Sequence, residues 1–204
     1  MNPRSLSINL SKSITKNAPE FALKEDHIRY GLEWTISGIF QTFAILMFTI
    51  PLGVFVESLI FLLVGVLLRT FAGGVHFKNY YFCFIYSTVT ITWLSYQAKT
   101  SVFDQFFTSV WIQSLTLIVS VIILFFYAPR LYLKKECFTP KQQKGYKYAA
   151  IAVFSIIFLA SQFIDSLSIK QVIYLALFHQ LFVLTNTAEY LFTKLETIIG
   201  GIRL

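Results

Sequence analysis

Residues 110–128 read VWIQSLTLIVSVIILFFYA and contain no charged side chain. A helix that crosses the hydrocarbon core of a bilayer needs about 17–25 mostly apolar residues, and this stretch supplies them without interruption. The bilayer offers no water to the backbone amides and carbonyls, so a helix, which satisfies them internally, is favoured over an open strand. The stretch therefore predicts a transmembrane α-helix.

The composition of the whole chain agrees with that reading. Of its 204 residues 56% are hydrophobic and only 13% are charged, and the mean hydropathy is +0.65. A soluble domain would carry about 25% charged residues. Long apolar blocks occur at 34–52, 54–68, 80–98, 110–128, 148–164 and 171–192. We therefore predict an all-α, polytopic integral membrane protein with about six transmembrane helices.

The positions of the basic residues predict the orientation of these helices. If the N-terminus lies in the cytosol, all 17 Lys and Arg residues except Lys99 and Lys170 fall on the cytosolic side. Cytosolic loops of membrane proteins are enriched in Lys and Arg. We therefore interpret the net charge of +7 mainly as a sign of membrane topology. It predicts basic cytosolic loops at 69–79 and 129–147. Such loops suit anionic lipid or an acidic peptide, and nucleic acid is not expected.

Residues 1–31 form a polar segment that precedes the membrane domain, which we place at 32–204. Leu6, Leu10 and Ile14 recur at four-residue spacing among polar residues, which favours an amphipathic helix lying on the membrane surface. A frayed polar leader is the alternative. The segment lacks the apolar core directly after a basic start that a secretory signal requires.

The chemistry-bearing stretch is residues 69–87, RTFAGGVHFKNYYFCFIYS. Gly73 and Gly74 can adopt backbone angles closed to other residues, so the chain can turn sharply there and release His76 from the preceding helix. On one continuous helix, His76 and Cys83 would share a face but lie about 10 Å apart along the axis. The pair can act together only if residues 73–79 fold back, or if a rearrangement or a second subunit completes it.

A folded-back loop would give the pair a coherent chemistry. Cys83 would lie near a helix N-terminus and close to Lys78, and both features favour the thiolate. His76 would accept the thiol proton and later protonate the leaving group. Backbone amides of the glycine turn or of the first helical turn would hold the oxyanion. Arg69 would anchor a substrate carboxylate or pair with a lipid phosphate.

Less specific interpretations of the same residues remain open. A glycine pair in a membrane helix often serves close packing, and basic residues at a membrane border often serve topology alone. A small transporter would use the intramembrane polar residues Glu57, His179 and Glu189 as its substrate path. A non-catalytic scaffold would need neither Cys83 nor Cys137. The two cysteines and scattered histidines show no metal-ligand spacing, and we expect no cofactor.

The stretch nevertheless resembles one family. The matching positions are Arg69, Ala72-Gly73-Gly74-Val75-His76, Lys78 and the run from Cys83 to Ser87, with Tyr30-Gly31-Leu32-Glu33 before the first span and Tyr127-Ala128-Pro129 after the fourth. Together they resemble the accessory gene regulator B (AgrB-like) family of membrane cysteine peptidases. The chain departs from the family after Pro129, where many relatives carry an Asp and an Asn-Lys-Pro run.

The resemblance implies a function that composition alone does not. It implies an endopeptidase that cuts the C-terminal part from a short propeptide and supports cyclisation through an acyl-thioester, giving a thiolactone or lactone signal. Cys83 would be the nucleophile and His76 its base. Residues that would bind substrate are Arg69, Lys78, Ser87, Glu33, Lys134 and Lys135. The implied partners are an amphipathic propeptide with an acidic C-terminal tail, membrane lipids and a second copy in a homodimer. The implied location is the bacterial cytoplasmic membrane, with the site on the cytosolic side.

Overall fold

The computed structural model describes residues 3–77, 79–100, 109–130 and 139–201. The chain forms two compact units, Met1–Met47 and Phe48–Leu204, and each is described by itself.

The first unit is helical. It holds α1 (Pro3–Asn17), a 3-10 helix (Pro19–Lys24) and most of α2 (Glu25–Thr49). Leu10 and Ile14 of the apolar stripe on α1 are exposed, which leaves them free to contact lipid. The boundary expected at residue 31 falls inside α2, which continues without interruption from Glu25 into the first predicted span.

The second unit is a helical bundle. Its helices are α3 (Phe55–Ala72), α4 (Tyr80–Lys99), α5 (Val110–Tyr127), α6 (Pro140–Ser161), α7 (Leu167–Phe182) and α8 (Asn186–Gly201). Helix α3 packs against α4, α6 and α7, and α4 also packs against α7. Helix α7 buries side chains on opposite faces, Val172 and Tyr174 among them. Helices α3 and α7 therefore form the centre of the bundle.

The chain has the apolar helices of a membrane protein, although the number of candidate membrane-spanning helices differs from the predicted six. Segments long and apolar enough to cross a bilayer are Pro19–Thr49, Phe55–Ala72, Val110–Tyr127 and Pro140–Ser161. A fifth crossing results if α7 and α8 together count as one broken span. Large apolar side chains such as Trp93 and Trp111 are more than half exposed, as expected where lipid is the solvent.

The last predicted span, 171–192, is the clearest difference. It is divided into α7 and α8, which are bent by 78°. At the bend the carbonyl oxygen of Val183 accepts from the Val75 amide, and that of Leu184 accepts from the Arg130 guanidinium. Because these carbonyls are satisfied by partners outside the helix, the chain can leave the helical path here. This bend brings α8 back to the loop that follows α3.

Candidate active site

The turn after α3 depends on two glycines in unusual conformations. The φ angle is 71° at Gly73 and 146° at Gly74, in the region that other residues avoid. A Cβ atom placed on Gly73 would lie 2.2 Å from the carbonyl oxygen of Arg130. The predicted turn is therefore present, and at Gly73 only a glycine fits it.

The backbone of Arg130 holds this turn from outside. The Gly74 amide donates to the Arg130 carbonyl at 3.0 Å, and the Arg130 amide donates to the Ala72 carbonyl at 2.8 Å. The Gln180 side chain of α7 donates to the Gly73 carbonyl at 2.7 Å. The turn is thus tied both to the end of α5 and to the central helix α7.

These bonds change the role expected for the glycine amides. The Gly73 amide donates to the Arg69 carbonyl at 3.0 Å, and the Gly74 amide is engaged by Arg130. Amides that already donate to carbonyls are not available to an oxyanion. The glycines shape the turn in this arrangement, but the expectation that their amides bind the oxyanion does not fit it.

The fold-back that the His–Cys pair requires is present. The Nδ1 atom of His76 lies 4.0 Å from the Sγ atom of Cys83, against the roughly 10 Å of a continuous helix. Helix α4 begins at Tyr80, directly after Asn79, whose side chain accepts from the Tyr81 amide at 2.9 Å. Cys83 therefore lies in the first turn of α4, near the positive end of the helix dipole.

Arg69 is part of the same cluster. Its Nη2 atom donates to the Val75 carbonyl at 2.9 Å and lies 3.0 Å from each ring nitrogen of His76. Its Nε atom is buried without a hydrogen-bond partner. The guanidinium points at the imidazole, and a role of Arg69 at a lipid phosphate or a substrate carboxylate stays a prediction.

The surroundings of His76 disfavour its charged form. Burial, and secondarily the Arg69 guanidinium, lower the pKa of His76 to about 3, from an ordinary value of 6.5. The imidazole is therefore neutral at neutral pH. A neutral ring can accept a proton, and once protonated beside Arg69 it would release that proton readily.

Cys83 has further contacts besides His76. The Ser87 side chain and the Phe77 backbone both hydrogen-bond to its thiol. Cys83 also packs against a buried cluster whose members are Val75, Phe77, Val183, Ala188 and Phe192. Ser87, which the resemblance assigns to substrate binding, thus lies beside the candidate nucleophile.

A second polar pair lies deeper in the bundle. The Tyr86 hydroxyl is 3.3 Å from Nε2 of His179, and the two rings lie 6.0 Å apart at 28°. The sequence singles out His179 as an intramembrane polar residue. It does not single out Tyr86, because the chain has 11 Tyr residues and nothing in the sequence distinguishes this one. Glu189, also singled out, pairs with Arg130 and so has a structural partner.

The remaining predicted site residues are Glu33, Lys78, Lys134 and Lys135. Glu33 is in the first unit, where it pairs with Arg29 at 3.0 Å. Lys78, Lys134, Lys135 and Cys137 lie outside the described residues. Within the described part of the chain, no group of three or more His, Cys, Asp or Glu residues is placed to hold a metal ion.

An apolar cavity lies beside α4 in the described part of the chain. It has a volume of about 780 Å³ and is lined almost wholly by apolar side chains, including Ile85, Thr88, Thr92 and Trp93. At about 100° per residue, Ile85, Thr88 and Thr92 lie on the side of α4 opposite to Cys83, and Trp93 lies about 80° from it. Neither Cys83 nor His76 lines this cavity.

Comparison with known protein families gives a match over most of the chain. The family model described as accessory gene regulator B matches residues 7–184, which include the glycine turn, His76 and Cys83. No curated protein and no solved structure matches the chain.

Proposed function

The chain belongs to the accessory gene regulator B family, whose role is processing of the quorum-sensing peptide, and we propose that it does so as a membrane-embedded cysteine endopeptidase. In this proposal Cys83 is the nucleophile and His76 is its base. The observation that supports it best is the 4.0 Å distance from Nδ1 of His76 to Sγ of Cys83, two residues that a continuous helix would hold about 10 Å apart. Two reactive groups at that separation need only a small shift to share a proton.

Acylation begins when His76 takes the thiol proton of Cys83. The thiolate attacks the scissile carbonyl, and the negative charge on the carbonyl oxygen is stabilised by nearby donors. Arg69 is the strongest candidate donor, because its charge lies beside the pair and its Nε hydrogen is unpartnered. The C–N bond then breaks, His76 returns its proton to the leaving amine, and the N-terminal part of the propeptide remains as a thioester on Cys83.

The thioester conserves the acyl group for a second transfer. A Cys or Ser side chain within the bound peptide attacks the thioester carbonyl, its proton passes to His76, and Cys83 leaves as a thiolate that recovers the proton. The product is a thiolactone or lactone ring. A neighbouring membrane that limits water access would favour ring closure over hydrolysis.

The proposal extends to partners and place. The substrate is a short amphipathic propeptide with an acidic C-terminal tail, which the Lys-rich stretch from Lys134 to Lys147 would attract. The site lies on the cytosolic side of a bacterial cytoplasmic membrane, as the distribution of Lys and Arg indicates. The protein works as a homodimer among membrane lipids and requires no cofactor.

Co-expression with a candidate propeptide tests the proposal. Cleavage, followed as a mass shift, should be lost in Cys83→Ala and His76→Ala and retained in the matched variant Cys137→Ala, which removes the other cysteine. Each variant is first shown to reach the membrane fraction. Cleavage by Cys83→Ala at the wild-type rate would overturn the assignment of Cys83 as the nucleophile. It would then favour the transporter and scaffold interpretations.

A further inference from the structure

The residues at the N-terminus of α4 supply only one half of a capping box. Asn79 at the N-cap accepts from the Tyr81 amide through its side chain. In a complete capping box, the side chain three residues after the N-cap also accepts from the N-cap amide. That position here is Phe82, which has no acceptor.

A distant helix supplies the missing acceptor. The Oε1 atom of Glu196 accepts from the Asn79 amide at 2.8 Å, although the two residues are 117 positions apart in the sequence. Glu196 lies on α8, beyond the residues 7–184 that the family model matches.

Aromatic packing holds α8 at this place. Phe192, one turn before Glu196, is 5% exposed and stacks on Phe77 with ring centroids 4.2 Å apart and planes inclined by 15°. Phe77 directly follows His76. One face of α8 therefore touches the loop that carries the base and the helix start that carries the nucleophile.

We propose that Glu196 is a positioning residue for Cys83, completing the cap of α4 from the far end of the chain. Cys83 is the first residue of α4 whose amide reaches back to the N-cap, donating to the Asn79 carbonyl at 3.1 Å. The geometry of Asn79 therefore sets where Sγ lies relative to Nδ1 of His76. This inference rests on the proposed function, since it assigns Glu196 to the same site.

The test compares Glu196→Ala and Glu196→Gln with Lys194→Ala, an exposed change on the same helix. Steady-state cleavage of a candidate propeptide and amide hydrogen exchange in residues 79–86 are both measured on purified protein in detergent. Loss of the acceptor should lower kcat about fivefold in Glu196→Ala, the size expected for a lost cap, with KM unchanged. Amides at the start of α4 should also exchange faster.

Glu196→Gln keeps an oxygen acceptor and should retain kcat within about twofold, as should Lys194→Ala. The inference is overturned if Glu196→Ala matches wild type in kcat and exchange, if only KM changes, or if Glu196→Gln is as slow as Glu196→Ala. The Cys83→Ala variant distinguishes failure of the Glu196 inference from failure of the proposed function. If Cys83→Ala cleaves normally the proposed function fails, while exchange at the start of α4 still reports whether Glu196 caps the helix.

Discussion

At the scale of single residues, the contacts of His76 decide what the proposed catalysis requires. A guanidinium 3.0 Å from both ring nitrogens competes with the thiol for the imidazole lone pair. For His76 to act as a base, Arg69 must release the imidazole and donate its hydrogen bond to the substrate instead. Binding of a carbonyl oxygen near the guanidinium would do this, and would couple substrate binding to activation of the thiol.

Arg69→Lys tests whether the guanidinium itself is required. A lysine keeps the charge but presents one compact ammonium, so it cannot hold the Val75 carbonyl and His76 while also reaching an oxyanion. We expect kcat for propeptide cleavage to fall by about 10²-fold or more, the loss typical of a removed oxyanion donor. A variant with normal kcat and a raised KM would instead support the carboxylate-anchoring role first expected from sequence.

The low pKa of His76 predicts how stability depends on pH. Because the folded-state pKa of about 3 lies below the ordinary 6.5, the unfolded chain binds more protons between these values. The free energy of unfolding should therefore fall as the pH is lowered through this window, by at most about 1.4 kcal/mol per pH unit from this residue.

Thermal unfolding in detergent at pH 7 and pH 4.5 measures the effect. Wild type should lose more of its Tm on acidification than His76→Gln, in which the titrating group is absent. Equal losses in the two proteins would show that His76 does not carry the shift.

At the scale of elements, the decisive feature is the turn between α3 and α4. Gly73→Ala places a methyl group against the Arg130 carbonyl and demands a backbone angle that alanine avoids. Strain of this kind costs about 1–3 kcal/mol before the clash is counted. We expect a lower Tm and loss of cleavage, because relief of the clash would move His76 away from Cys83.

Gly65→Ala is the matched control for this substitution. Gly65 lies within α3, and a Cβ there meets nothing within 4 Å. Alanine should be neutral or slightly stabilising at this helical position. A Gly73→Ala variant that is as stable and as active as Gly65→Ala would contradict the structural role of the turn.

The local part of this element could be predicted from sequence, and the distant part could not. Adjacent glycines before a His and a Cys permit a fold-back through their backbone freedom, although a rearrangement or a second subunit stayed open as alternatives. Arg130 and Glu196 meet the turn through contacts between residues far apart in the chain, and a single sequence contains no periodicity that signals them. The bend at Val183 was missed for the same reason, since residues 171–192 read as one apolar block.

At the scale of the whole molecule, composition was sufficient to predict a helical membrane protein. The distribution of Lys and Arg also predicts how the helices are oriented in the membrane. Single cysteines introduced at Thr100 and Lys141, in a background of Cys83→Ala and Cys137→Ala, test that orientation with a membrane-impermeant thiol reagent. The cysteine at 100, at the end of α4, should react in intact cells. The cysteine at 141, at the start of α6, should react only after permeabilisation. The reverse pattern would invert the topology.

The most direct measurement of the central claim is detection of the acyl-enzyme itself. Purified protein is mixed with a candidate propeptide, quenched in acid, digested and examined by mass spectrometry for the peptide that contains Cys83. The expected result is an adduct of the N-terminal propeptide fragment on Cys83 that hydroxylamine removes, present in wild type and Cys137→Ala. Cleaved propeptide with no adduct on Cys83, or with an adduct that persists in Cys83→Ala at another residue, would contradict the assignment of Cys83 as the nucleophile.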